Sequence, residues 1–320
     1  MKTTKLLSLF FSVATLIISS GCVPKSPLPL NNNYSSYKTN VPFVAPRTEL
    51  CASTSIEMVS SYWQSRTPYI PHLSLSELDE RTLIPAKGGT LQIELIAAAR
   101  ANGLLVYPIE PTFDALFSEL SEHHPVIVLV NRSYSWYPLW HYAPITGYDA
   151  KGQTILMHFG DMPNEAVAIG TFAALWERSA NWGVVLLPPG KLPASATAKK
   201  FLQSAYNLEK IGMVKEAIIS YETALTRWPD NIPTLFALGN AYYNSHEISK
   251  AEEIYRYILL IDPKYPFALN NLADLLCRMG RSDEALKLLD RVVTDDVEIQ
   301  TLIKNTRKEI HSGCIPFMKN

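Results

Sequence analysis

The sequence predicts an α+β domain followed by an all-helical repeat domain, and three observations support this prediction. Between residues 41 and 190, segments with the apolar spacing of helices are mixed with short apolar runs typical of strands. The stretch 187–195, LPPGKLPAS, is rich in residues that break both kinds of structure. Beyond it, residue types recur with a period of 34. A chain of 320 residues is long enough for two such domains.

The first residues have the pattern of an export signal. Lys2 and Lys5 precede an apolar stretch over residues 6–18. These 13 residues are fewer than the roughly 20 that a helix needs to span a bilayer. Small residues then stand directly before Cys22 and resemble the bacterial lipoprotein box, although Ser19 occupies a position where that box usually has leucine.

The resemblance to the lipoprotein box implies that residues 1–22 form a signal peptide and that Cys22 is lipidated in the mature protein. Val23, where an aspartate would retain a lipoprotein in the inner membrane, favours the outer membrane facing the periplasm. Residues 23–40 are rich in Pro, Asn and Ser without periodicity, which predicts a flexible tether.

The predicted elements of the α+β domain follow from local patterns. A helix over residues 52–63 begins just after Cys51, because its apolar residues fall on one helical side. Gly88 and Gly89 introduce a second helix, over residues 90–102, which ends at Gly103. Short apolar runs predict strands at 125–130, 142–147, 154–158 and 182–187.

The helical part is organised as a repeat. Pro229 and Pro263 fix the 34-residue period, and the positions that then coincide carry matching small or aromatic residues: Ala217, Ala251 and Ala285, then Tyr221 and Tyr255. The pattern resembles the tetratricopeptide repeat, over residues 198–299 with a capping helix at 297–311. We therefore expect a linker at 191–197, repeats with their cap at 198–311, and a tail at 312–320. The resemblance implies a protein partner bound in the groove of the repeats.

Charge and cysteine content exclude several classes of function. With 29 basic and 30 acidic residues, the net charge of −1 disfavours a nucleic-acid partner. The four cysteines are widely and irregularly spaced, which fits neither a zinc site nor a disulfide framework, and we expect no metal or cofactor. Cys277 falls on an apolar helical position and is interpreted as a core residue, although an oxidising compartment would permit a bridge to Cys314.

Cys51 and His141 form the predicted reactive pair. A thiol attacks an acyl carbon as its thiolate, and a helix N-terminus and a neighbouring imidazole both lower the thiol pKa. Cys51 meets the first condition. His141 opens the apolar run WHYAPITGYD, 90 residues further along the chain, where a returning strand can bring it to the cysteine.

Longer segments around these two residues resemble a known family. The segments VPFVAPRTELCASTSIEMVSSYW and HYAPITGYD, the latter with the strand TILMH, resemble the cysteine and histidine motifs of the bacteriocin-processing, or double-glycine, peptidases of the papain-like superfamily. The likeness extends to a subgroup of lipoproteins that joins such a domain to tetratricopeptide repeats. It implies a papain-like cysteine-peptidase domain over residues 41–190, with Cys51 as nucleophile and His141 as general acid and base.

Two positions depart from the family pattern. Ala52 stands where the family commonly has glycine, but its backbone N–H remains available. The glutamine of the family's oxyanion hole falls at about Pro46 in this chain, and neither Pro46 nor Arg47 carries a neutral amide. Losing one oxyanion donor typically lowers the rate about 100- to 1000-fold. Arg47 could donate in its place.

The residue that orients the imidazole is left open among three alternatives. Asp161 has the required chemistry but lies two or three residues beyond the family position, which aligns nearer His158. We predict Asp161, with His158 as the alternative and a Cys–His dyad as the third possibility. The aromatic residues Trp136, Tyr137 and Trp140 either form the wall of a peptide groove or pack against the sheet.

Two hypotheses about function follow. The first is a cysteine peptidase, or thiol hydrolase, of the cell envelope that acts on a peptide or protein substrate, with hydrolysis and acyl transfer not separable from sequence. The second is a scaffold without catalysis, in which the repeats and the peptidase-like domain assemble an envelope or export complex. Pro46 favours the second hypothesis, and the motifs around Cys51 and His141 favour the first.

Overall fold

The computed structural model describes residues 35–45 and 50–317. Several predicted features lie outside the described residues: the signal peptide, the lipidation site Cys22, most of the tether, and Pro46 with Arg47. Within the described residues, no helix combines the length and apolar character that membrane crossing requires.

The first domain is built around one antiparallel sheet of seven strands: β1 (Tyr37–Lys38), β2 (Leu105–Pro108), β3 (Val126–Asn131), β4 (Trp140–Asp149), β5 (Thr154–Phe159), β6 (Met162–Ala168) and β7 (Gly183–Leu187). The strand order is β2-β7-β3-β4-β5-β6, and β1 pairs with β4. The four predicted strands correspond to β3, β4, β5 and β7, within two residues at each end. Sequence patterns did not predict β1, β2 or β6.

The helices of this domain are α1 (Cys51–Gln64), α2 (Leu75–Thr82), α3 (Gln92–Ala101), α4 (Phe113–Ser121) and α5 (Ile169–Glu177). Helix α1 is the central one, because ten of its residues are buried and it packs on β4. Its hydroxyl residues bond to nearby backbone, as Thr54 does to the Leu50 carbonyl at 2.7 Å. At its far end, the Trp63 indole donates to the Leu186 carbonyl at 2.7 Å. These contacts fix the position at which α1 begins.

The segment before α1 is held against the sheet. The Thr39 N–H donates to the Thr146 carbonyl at 2.7 Å. Gly147 is required here, because a Cβ at this position would lie 2.3 Å from the Tyr37 carbonyl oxygen. Further along, the buried His158 ring donates through Nε2 to the Val41 carbonyl at 3.0 Å. Residues 39–41 are therefore fastened to the strands that carry the predicted site.

The second domain consists of paired helices: α6 (Ala198–Lys210), α7 (Val214–Arg227), α8 (Ile232–Asn244), α9 (Ile248–Ile261), α10 (Pro266–Arg278), α11 (Ser282–Leu289) and α12 (Val297–Ser312). The small and aromatic residues of the predicted repeat are all fully buried, including Ala217, Ala251 and Tyr255. Gly239 lies so close to Tyr255 that a Cβ would come within 2.7 Å of its ring. Small residues therefore let neighbouring helices approach, as the period predicts.

The junction between the domains is fastened by one buried carboxylate on α4. Glu119 is 0% exposed and accepts hydrogen bonds from the backbone N–H groups of Ala194 and Ser195, at 3.0 and 2.9 Å. It also accepts from the Ser195 hydroxyl at 2.6 Å and contacts His124 Nδ1 at 2.8 Å. Burial alone would raise the pKa of Glu119, but the His124 and Ser195 hydrogen bonds hold it below its usual value.

Candidate active site

Cys51 occupies the first position of α1. Burial raises the pKa of its thiol above the ordinary value, and hydrogen bonds from the backbone of Tyr142, Cys51 and Ala52 lower it in part. Because these bonds favour the thiolate, the groups involved act as N–H donors. The Ala52 N–H thus faces the sulfur, and the helix N-terminus supplies the electrostatic support expected from the sequence. The balance at rest still favours the neutral thiol.

His141 lies on β4, paired with Val130 of β3. Its ring meets Phe159 edge to face, with the ring centroids 5.4 Å apart. Burial lowers the pKa of His141 to about 4, and the positive charge of Arg132 adds to this effect. The imidazole is therefore neutral at neutral pH.

The fold brings the two predicted residues together through Tyr142. The backbone of Tyr142 contacts the Cys51 sulfur, and Tyr142 directly follows His141 on β4. Ser55, one turn along α1, donates to the Cys51 carbonyl at 2.6 Å and also lies within hydrogen-bond distance of the Tyr142 carbonyl, at 3.4 Å, so it supports both the first turn of α1 and its contact with β4. Burial favours the uncharged form of the Cys51 thiol and of the His141 imidazole. We call these two residues the neutral pair.

The imidazole is oriented by a backbone group. The N–H of Gly160, in the turn between β5 and β6, donates to His141 Nε2 at 3.3 Å. This bond uses the Nε2 lone pair and places the ring proton on Nδ1. A donor at this position favours the neutral ring, whereas a carboxylate would favour the charged one. It is the contact that sequence reasoning missed, because a backbone N–H has no residue signature.

The two residues predicted as alternatives for orienting the His141 imidazole, His158 and Asp161, have different surroundings in the structure. His158 uses both ring nitrogens elsewhere, because Nδ1 accepts from the Asn164 N–H at 3.1 Å while Nε2 bonds to Val41. Asp161 follows Gly160 in the exposed turn, and its side chain makes no hydrogen bond to the described residues. The role of Asp161 stays a prediction.

Two further features border the site. The aromatic side chains of the loop between β3 and β4 are exposed: Trp136 is 81% and Tyr137 is 68% exposed. These two side chains therefore do not pack against the sheet. On α3, the Glu94 atom Oε2 is buried and has no hydrogen-bond partner among the described residues, and the charge of Glu94 raises the pKa of Tyr142. No motif singled out Glu94, since it occupies an ordinary polar position of a helix.

No group of three or more His, Cys, Asp or Glu side chains in residues 35–45 and 50–317 is arranged to hold a metal ion. Cys51 is the free cysteine of this part of the chain. At the site, the described residues supply a thiol, an imidazole and backbone N–H donors.

The first domain has a cysteine at the start of its central helix and a histidine on the strand beside that helix, as in a cysteine-peptidase-like domain. The helix pairs that follow form a helical repeat domain. Residues 33–182 match the model of the Peptidase_C39 like family, and residues 249–305 match that of the tetratricopeptide repeat. The first domain is thus Peptidase_C39-like and the second carries tetratricopeptide repeats. This confirms the predicted arrangement.

Individual relatives match parts of the chain. The tetratricopeptide repeat and J domain-containing co-chaperone DNJ1 of Fusarium oxysporum is 30% identical over 99 residues, which are 31% of this chain and 19% of that protein. A tetratricopeptide repeat protein from Parabacteroides merdae is 19% identical, with a TM-score of 0.33, over 45% of this chain and 53% of that one. The Yersinia enterocolitica secretion chaperone SycD, solved with a peptide of the translocator YopD, is 18% identical, with a TM-score of 0.34, over 36% of this chain and 92% of that one.

Proposed function

We propose that the Peptidase_C39-like domain is a cysteine peptidase that acts on a peptide or amide bond, and that the repeats recruit its protein substrate or a partner. The observation that supports this most directly is the position of the Cys51 sulfur. It lies at the N-terminus of α1 and contacts the backbone beside His141. Cys51 is the nucleophile and His141 the general acid and base.

The neutral pair determines how the reaction proceeds. As the Cys51 sulfur forms its bond to the substrate carbonyl carbon, the thiol proton passes to the imidazole. The N–H groups at the start of α1 are available to the developing oxyanion. The imidazolium of His141 then protonates the leaving amine, and the C–N bond breaks. Water attacks the acyl-enzyme with His141 again as base, or a second amine does so in acyl transfer.

The proton transfer requires one rearrangement. Because the Gly160 N–H occupies the Nε2 lone pair, the ring must release this bond before it accepts a proton, either at Nε2 itself or at Nδ1 after the ring proton has moved to Nε2. Substrate binding is the event that would bring this about, since catalytic hydrogen bonds often tighten only in the substrate complex. The exposed aromatic residues of the β3–β4 loop are placed to contact the substrate beside His141.

An activated acyl ester tests this function without a known substrate. We expect p-nitrophenyl acetate to acylate the purified chain with release of nitrophenol. This release should be absent in Cys51→Ala and about 100- to 10,000-fold slower in His141→Ala. His311→Ala, at an exposed position in the last turn of α12, is the matched control and should react as the wild type does.

A second candidate function is an assembly protein without catalysis. The Gly160 bond to His141 favours it, because this bond engages the Nε2 lone pair, which is the free proton acceptor of the neutral ring. In that case the wild type and His141→Ala would release nitrophenol at the same rate, that of an ordinary buried thiol.

We further propose that the protein is a lipoprotein anchored through Cys22 in the outer membrane, facing the periplasm. The pattern of residues 6–22 supports this, and a disulfide between Cys277 and Cys314 is consistent with an oxidising compartment. Cys22→Ser should move the protein from the membrane fraction to the soluble periplasmic fraction and abolish incorporation of radiolabelled palmitate. Retention of Cys22→Ser in the outer-membrane fraction would contradict the anchor.

A further inference from the structure

Arg132 lies directly after β3, on the same side of the sheet as His141. Its backbone N–H donates to the Leu139 carbonyl at 2.9 Å and so continues the pairing of β3 with β4. Val130 pairs with His141 in that ladder, and paired residues share one face of a sheet. Because residues two apart on a strand also share a face, the Arg132 side chain starts on the face that carries the imidazole.

Arg132 and His141 contact the same two residues of the β5–β6 turn. The guanidinium carbon lies 4.7 Å from the centroid of the Phe159 ring, and the His141 ring meets the same ring at 5.4 Å. Arg132 Nη1 would lie 3.6 Å from a Cβ at Gly160, whose N–H donates to His141 Nε2 at 3.3 Å. The guanidinium is therefore a neighbour of the imidazole, positioned by the ring that both contact.

The charge of Arg132 has no partner in the part of the chain that the structure describes. Its exposed side chain forms no ion pair and no hydrogen bond there, not even with Asp161 of the adjacent turn. The nearby Arg178 differs, because it donates to backbone carbonyls, including that of Ser133 at 2.7 Å. The Arg132 guanidinium thus presents its N–H donors to solvent beside the imidazole.

The position of His141 determines which part of a substrate meets Arg132. In the proposed reaction His141 protonates the leaving amine, so the leaving portion of the substrate lies next to the imidazole. The guanidinium of Arg132 is next to the imidazole as well, and so faces this leaving portion. A planar guanidinium matches the geometry of a carboxylate and forms paired hydrogen bonds with it.

We propose that Arg132 is a specificity-determining residue that binds a carboxylate on the leaving side of the substrate, either the C-terminal carboxylate or an acidic side chain directly after the scissile bond. This inference rests on the proposed cysteine-peptidase function. The bound carboxylate also assists the chemistry, because the charge of Arg132 opposes protonation of His141 and the carboxylate offsets that charge. The imidazole then accepts the thiol proton more readily with this substrate in place.

Three acetyl thioesters that differ only in the leaving thiol test the proposal. Mercaptopropionamide is the neutral thiol, and mercaptopropionate carries the carboxylate of a C-terminal residue. Mercaptosuccinic acid, amidated at the carboxyl group next to the sulfur-bearing carbon, carries that of an acidic side chain. The Cys51 sulfur takes up the acetyl group as the thioester bond breaks, the thiol leaves with a proton, and water then releases acetate. The loss of thioester absorbance gives kcat/KM, with Cys51→Ala as the blank.

The measured quantity is the ratio of kcat/KM for a carboxylate thioester to kcat/KM for the neutral thioester, which does not depend on the amount of folded protein. For at least one carboxylate thioester, this ratio should be at least about fivefold higher in the wild type than in Arg132→Gln. Arg132→Glu should lower it further by repulsion, and Arg132→Lys should retain part of it, because the ammonium keeps the charge without the planar fork. Whichever carboxylate thioester shows the larger effect identifies the source of the carboxylate.

Arg66→Gln is the matched control, because it removes another exposed arginine about 20 Å along α1 from Cys51 and should keep the wild-type ratio. Equal ratios in the wild type, Arg132→Gln and Arg132→Glu would overturn the proposal, and so would an equal fall in Arg66→Gln. Nitrophenol carries no carboxylate, so its Cys51-dependent release together with unchanged thioester ratios would reject this inference alone. The absence of Cys51-dependent cleavage of every ester would reject the proposed function and this inference with it.

Discussion

The neutral Cys51–His141 pair makes a specific prediction for the pH dependence of acylation. The pKa of His141 is lowered to about 4, so at pH 7 all but about one imidazole in a thousand is the free base. The thiol pKa is raised above its ordinary value of 9.0, so less than about 1% of Cys51 is thiolate at that pH. Reaction near neutral pH must therefore use the neutral thiol and the imidazole base, or a very small thiolate fraction.

These two routes predict different dependences of the acylation rate on pH. A general base that is already fully unprotonated gives a rate of acylation that is flat between pH 6 and 8. In His141→Ala only the thiolate reacts, so its rate should rise about tenfold per pH unit until the thiol pKa is reached. The ratio of wild-type to variant rates should be about 100- to 10,000-fold at pH 7 and should fall steadily above it.

The assay is the release of nitrophenol from p-nitrophenyl acetate under single-turnover conditions, with Cys51→Ala as the blank. A wild-type rate that rises tenfold per unit and coincides with that of His141→Ala would refute the base role of His141. Rapid alkylation of Cys51 by iodoacetamide at pH 5, lost in His141→Ala, would refute the neutral pair itself. It would show a resting thiolate–imidazolium pair instead.

Three further predictions concern stability. The folded-state pKa of His141 lies below the unfolded value of 6.5, so the free energy of unfolding should be highest above pH 6.5 and should fall by at most about 3 kcal/mol as the pH falls towards 4. In urea unfolding, His141→Asn should lack this loss at acid pH. The same loss in both proteins would contradict the prediction. Glu119→Gln should lower the free energy of unfolding by about 3 kcal/mol, because buried N–H and O–H donors lose a charged acceptor. Glu110→Gln, which removes an exposed ion pair across the same junction, should lower it by less than about 0.5 kcal/mol. Gly147→Ala should displace β1 and raise hydrogen exchange of the Thr39 amide at least about tenfold, while Gly170→Ala, with open space around it, should leave that amide protected.

Sequence predicted those features in which a residue's type directly reflects its surroundings. The 34-residue period places Ala251 and Tyr255 at buried helix contacts because only small or aromatic side chains fill them. Cys51 could be placed at a helix start and His141 on a strand because the apolar periodicity changes beside each of them. Helix α1, which begins at Cys51, packs on β4, which carries His141.

The remaining features depend on contacts that local patterns do not record. Burial and the charge of Arg132 lower the pKa of His141, and the Gly160 N–H determines which ring nitrogen carries the proton. The residues next to His141 in the chain indicate none of these effects. Cys277 has an apolar helical position, but its bond to Cys314 depends on how the tail folds back, and the tail has no periodicity. The breaker-rich linker was interpreted as a plain boundary because its partner, Glu119, lies 76 residues from Ser195.

The fastening of this linker has a consequence for how the two domains can cooperate. Backbone groups at Ala194 and Ser195 are fixed to α4, so the first repeat helix continues from the peptidase-like domain without a free hinge. On the proposed function, a protein held by the repeats would be presented at a set distance and orientation from Cys51. The length of chain between a partner's bound segment and its reactive bond would then decide whether that bond reaches the thiol.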